Sequence, residues 1–174
     1  MQTTKNPLTV EEQRYLFGAQ TYLGYPFYYF GSIQRMDYLP GYSDVDVDIF
    51  TNDMEDTLRK LRQYSNQPNK KIKKIIWKLQ SGRIVYGYKY HFRNHNPPYI
   101  NIEFSIYPFK YKSDVLHDHL TKMNLPWYCI ILLLIWKTLF YQFPLLSLDT
   151  YRWLKKKTMT FCIGLPDETF ITIT

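Results

Sequence analysis

The chain predicts an α+β domain, and three observations carry that prediction. Short segments rich in aromatic and β-branched residues alternate with longer amphipathic stretches. The helical stretches open on capping residues, and the strand-like segments are separated by Gly, Ser, Asn and Pro clusters. The length of 174 residues, with 45% hydrophobic and 21% charged residues, suits one folded domain with a full core and excludes a disordered chain.

Taken in order, Thr9 and Glu12 form a capping box that starts a first helix running to about residue 23. Residues 25–30 (YPFYYF) read as the first strand, and Gly31-Ser32 as the turn that ends it. Residues 44–50 (DVDVDIF) form an apolar strand headed by acids. Successive side chains of a strand face opposite ways, so Val45 and Val47 go to the core while Asp44 and Asp46 share the other face. Asp48 lies one step further along that face and reads as a solvated strand end. A second helix is expected over 52–64, with Asn52 as cap and Glu55 completing it. Residues 72–79 and 84–93 read as a hairpin about Gln80-Ser81-Gly82, and residues 99–107 as a further strand after a turn at 94–98 containing Pro97 and Pro98. On that last strand Ile100, Ile102, Phe104 and Ile106 share one face. Asn101, Glu103, Ser105 and Tyr107 take the other, and Glu103 is the only acid there.

Two carboxylates on one rigid face suit a hard divalent cation, which takes oxygen ligands from side chains, water and substrate phosphates. A Gly-Ser turn nearby offers backbone N–H groups and a hydroxyl to phosphate. Gly31-Ser32, then Ser43-Asp44-Val45-Asp46-Val47, then a later acid on a strand, resembles the nucleotidyltransferase superfamily in its DNA polymerase beta-like and minimal forms. Met36, between Arg35 and Asp37, departs from the small residue usual in minimal members.

The resemblance implies a mixed sheet flanked by helices, with a catalytic core over residues 1–112 and a C-terminal helical part over 113–174. It implies transfer of a nucleoside monophosphate from an NTP to an acceptor hydroxyl, with release of pyrophosphate. Asp44, Asp46 and Glu103 are then the catalytic and metal-holding acids, for two Mg²⁺ (or Mn²⁺) ions; Asp is commoner than Glu at the third position. Gly31, Ser32, Arg35 and Ser43 are the candidate nucleotide-binding residues, Arg35 facing the pyrophosphate and Ser43 orienting the turn ahead of the acids. The acceptor stays open among nucleic acid, small molecule and protein. A catalytically silent copy of the fold serving binding or assembly, or a membrane-associated structural protein, is the alternative.

Charge divides the chain. Residues 1–58 carry three Lys/Arg and nine Asp/Glu, and residues 59–174 carry nineteen and six. An acidic half beside a basic one suits polyphosphate handling. The densest basic run, Lys70, Lys71, Lys73, Lys74 and Lys78, reads equally as a nucleic-acid contact or as an edge strand protected by lysines.

Cys129 and Cys162 stand far apart without a metal-ligand spacing, so free thiols and a cytoplasmic or other reducing compartment are expected; no signal peptide opens the chain. His117 and His119 read as solvated side chains on a helix. Residues 127–136 (WYCIILLLIW) form an unbroken apolar run ended by Lys137. Ten residues are too few to span a bilayer and suit a core helix packed on the sheet, with membrane insertion or a partner helix as the alternative. Ser147 or Asp149 is expected to cap a last helix reaching Lys157.

Overall fold

The computed structural model describes residues 2–70, 72–94, 99–164 and the backbone of 170–173. The helices are α1 (Val10–Leu23), α2 (Met54–Tyr64), α3 (Lys112–Met123), α4 (Trp127–Tyr141) and α5 (Leu148–Ile163). The strands are β1 (Tyr28–Phe30), β2 (Val45–Thr51), β3 (Lys73–Lys78), β4 (Ile84–Asn94), β5 (Ile100–Pro108) and β6 (Phe170–Ile173). They form one mixed sheet in the order β1-β2-β5-β4-β3-β6, in which β2 and β5 are parallel and every other pair antiparallel.

Alternation on the central strands gives the sheet two different faces. Val45, Val47 and Ile49 on β2 join Ile102, Phe104 and Ile106 on β5 in a buried layer with Leu16 and Ala19 of α1 and Leu58 and Leu61 of α2. The opposite face holds a second apolar cluster, including Phe50, Trp77, Tyr107 and Val115 of α3. On that face Ser105 and Tyr107 of β5 are buried beneath α3.

The expected caps hold at both ends of the chain. Thr9 and Glu12 form a reciprocal capping box on α1, and the Ser147 side chain accepts from Thr150 N at the start of α5. Helix α5 runs past Lys157 to Ile163. For α2 the cap is Asp53, whose side chain accepts from Asp56 N, in place of Asn52. The first strand is half its expected length, since Pro26 has no N–H to give a ladder. The turn expected over 94–98 lies mostly outside the described residues.

Three further expectations are corrected. The lysine-bearing β3 is not an edge, because β6 pairs along its outer side. Helix α4 packs chiefly on α5, through Cys129 and Leu133 against Met159, Cys162 and Ile163, and not on the sheet. Cys129 and Cys162 are joined in a disulfide across that contact, which the distance of 33 positions between them concealed. Among the described residues no single helix is long and apolar enough to cross a membrane; only the bent pair Phe109–Met123 and Trp127–Tyr141, at 83°, passes by length and composition together.

Candidate active site

The site grows from the first hairpin. Strand β1 pairs with β2 so that Phe30 lies opposite Asp46, and the chain turns at once into a 3₁₀ segment, Gly31–Gln34. Gly31 therefore sits directly against the acid. Its φ is +71°, and a Cβ built there would overlap the Asp46 carboxylate. Only glycine satisfies both the left-handed backbone and the lack of space. The turn is held from behind: Asn6 Nδ2 donates to Ile33 O at 2.9 Å and to Arg35 O at 2.6 Å, and Gln34 Nε2 donates to Thr3 O at 2.7 Å.

The parallel pairing of β2 and β5 brings the third acid in. Asp46 and Glu103 are register partners, with Asp44 just ahead of β2. Burial and the charges of Asp44 and Glu103 push the Asp46 carboxyl well above the usual carboxylate range, with Lys89 and Lys155 pulling the other way. The charges of the other two expected acids thus reach Asp46.

Lys89 on β4 is a site residue that the sequence reading missed. Its Nζ donates to Glu103 Oε1. Burial disfavours its charge, but Glu103, Asp46 and Asp48 overcome that and raise the ammonium above its ordinary range. A signal existed: Lys89 stands mid-strand on the face of β4 that also carries Val85, Gly87, His91 and Arg93.

A cavity of about 230 Å³ opens beside Asp46 and Lys89, and Asp44 and Glu103 lie outside its lining. Gly31, Ser32, Arg35, Asp46 and Lys89 line one part, Trp77, Tyr107 and His119 another, and Lys122, Lys155 and Met159 reach in from the helices. Arg35, Lys89, Lys122 and Lys155 bring four cations to a lining with one acid, and three of them are held by acids behind it: Arg35 by Asp37, Lys89 by Glu103 and Lys122 by Asp118.

Two residues expected to be solvated are buried, His119 in the cavity wall and Asp48 behind it. Asp48 is 0% exposed, and its Oδ2 lies 2.9 Å from His119 Nε2; the imidazole stacks on Phe30 at 4.0 Å. Burial raises the Asp48 carboxyl, with His119 opposing. The sequence placed both on outward faces, and it is α3 folding over that side of the sheet that encloses them.

Arg35 lines the cavity, but its guanidinium is already engaged: Nε donates to Asp37 Oδ1 at 2.7 Å and Nη2 to Asp37 Oδ2 at 3.1 Å. Lys137 completes the group from α4, donating to Asp37 O at 2.7 Å and Ser43 Oγ at 3.1 Å. Ser43 Oγ also accepts from Leu39 N at 3.1 Å. Ser43 Oγ is thus held within the loop ahead of Asp44, and Lys137 is buried by pairing, not by apolar character.

Asp44 and Asp46 fit a divalent cation, since both offer carboxylate oxygens from the head of β2. Glu103 fits less well, since Lys89 holds one of its oxygens. Among the described residues no three His, Cys, Asp or Glu side chains are gathered as a metal-holding set.

The sequence model of a family described as a nucleotidyltransferase domain matches residues 19–119, more than half of the chain. No curated protein and no solved structure matches it.

Proposed function

Starting from a chain that belongs to the nucleotidyltransferase domain family, we propose that it moves a nucleoside monophosphate from an NTP to an acceptor hydroxyl and releases pyrophosphate. The observation that carries this reading is the contact between Gly31 and Asp46. It sets a phosphate-facing turn against a carboxylate at the mouth of a cation-lined cavity.

In this reading Asp44 and Asp46 hold Mg²⁺ or Mn²⁺ together with the triphosphate, and the resemblance implies a second ion at Glu103. When bound, the cation neutralises phosphate oxygens and polarises the reacting centre. The amides and hydroxyl of Gly31 and Ser32 receive the outer phosphates. Lys122 and Lys155 offset their charge, and Arg35, held flat by Asp37, faces the departing pyrophosphate. The acceptor oxygen attacks the α-phosphorus, the bond to the α–β bridging oxygen breaks, and pyrophosphate leaves with that electron pair. Glu103 Oε2 takes up the hydroxyl proton while Lys89 holds Oε1. The walls formed by Trp77, Tyr107 and His119 exclude water beside the triphosphate.

The test is incubation with Mg²⁺ or Mn²⁺, each α-labelled NTP and an extract supplying acceptors, with pyrophosphate and labelled product as readouts. Asp44→Ala, Asp46→Ala and Glu103→Ala each lower turnover by about 10²-fold or more. Equal turnover by wild type and Asp46→Ala would overturn the reading.

A further inference from the structure

Resting on the reading above, we propose that Lys89 is a built-in second cation: the chain takes one divalent ion, at Asp44 and Asp46, and the Lys89 ammonium fills the second position beside Glu103.

The geometry points there from three sides. Strand β4 pairs antiparallel with β5, placing Lys89 opposite Ser105 and His91 opposite Glu103, so Lys89 rises on the same face as the acid two residues away. Its Nζ donates to Glu103 Oε1, with both side chains about four-fifths buried. Lys89 also lines the cavity together with Asp46, Gly31 and Ser32, which puts its positive charge within the space that a second ion would share.

A second divalent ion at Glu103 would have to displace the ammonium from its carboxylate partner. If it left the ammonium nearby, two positive centres would face each other in a partly dehydrated site. A lysine already in place avoids both penalties. As a monovalent donor it neutralises charge without bringing a water-derived ligand set, and it leaves Glu103 Oε2 for the proton. Among the described residues Asp44 and Asp46 make no salt bridge, and they keep their oxygens for the divalent ion.

The test counts Mn²⁺ by electron paramagnetic resonance on the full chain saturated with a nonhydrolysable α,β-imido NTP, with thermal melts confirming that each variant folds. Wild type binds one Mn²⁺ per chain, and Lys89→Met binds two. Lys89→Arg, which keeps the charge, still binds one, and the double variant Lys89→Met/Glu103→Gln returns to one. Two ions in wild type, or one in both wild type and Lys89→Met, overturns the Lys89 proposal while the metal-dependent reading stands. No bound Mn²⁺ in any variant overturns both. If Lys89→Met does not fold, the comparison of wild type with Glu103→Gln decides: one ion in each supports the proposal, and a fall from two to one in Glu103→Gln overturns it.

Discussion

Lys137 reaches back 100 positions to Asp37, donating to its carbonyl oxygen at 2.7 Å and lying 3.2 Å from its carboxylate. Both side chains are almost fully buried. One cation on a C-terminal helix thereby fixes the loop that joins the Gly-Ser turn to the acid strand. Burial works against the Lys137 charge and pulls the ammonium down, while Asp37 works to keep it.

Removing that cation leaves Asp37 with Arg35 alone and empties a buried polar position. Lys137→Met is expected to lower unfolding free energy by about 3 kcal/mol, the lower end for breaking a buried pair because Arg35 remains. Urea denaturation checks this, and a loss below about 0.5 kcal/mol, the range of ordinary surface changes, would refute it.

Acid sensitivity follows from the same cluster. Burial raises the Asp37 carboxyl, but Arg35 and Lys137 outweigh it and hold the group below its usual range. A depressed carboxyl contributes stability that is fully present above its unfolded value of about 3.9. That contribution is lost as pH falls through the folded value. Wild type should therefore lose more stability than Asp37→Asn between pH 5 and the acid limb, measured as Tm against pH. Parallel curves for the two proteins would remove Asp37 from the account.

Gly31 and Gly41 separate backbone strain from crowding. Both have positive φ, at +71° and +78°, but a Cβ at Gly41 would meet nothing within 4 Å while one at Gly31 would overlap Asp46. Either change to Ala costs about 1 kcal/mol in backbone strain. Only Gly31→Ala should also abolish NTP binding, followed by equilibrium dialysis with labelled nucleotide. Equal binding by the two variants would contradict the close approach.

The disulfide between Cys129 and Cys162 ties α4 to α5, the helix that brings Lys155 and Met159 to the cavity. Reduction is expected to cost about 2–4 kcal/mol of stability. The Tm of wild type should fall in dithiothreitol, and that of Cys129→Ala/Cys162→Ala should not respond. A wild-type Tm unaffected by reductant would show that the bond contributes little to stability.

Much of the fold was legible because its signals are local. Thr9 with Glu12 announces a helix start through hydrogen bonds within four residues, and Ser147 does the same for α5. Alternation along 45–49 and 100–106 places the core face without knowledge of what covers it. Apart from the cap of α2 and the length of β1, the missed features are long-range. Strand β6 is recognised only by its pairing with β3, and the burial of Asp48 and His119 depends on α3 closing over the second face. The partner of each cysteine and of Lys137 lies tens of positions away, where spacing carries no information.

The sequence by itself determined the family signature: a Gly-Ser turn, the acids Asp44 and Asp46, and the strand bearing Glu103. Short-range alternation and turn chemistry suffice for these. Tertiary structure alone decided that Lys89 meets Glu103, that Lys137 clamps Asp37, and that four cations surround one cavity. Charge pairing in a folded chain depends on which strands and helices become neighbours, and burial then sets how strongly each pair interacts.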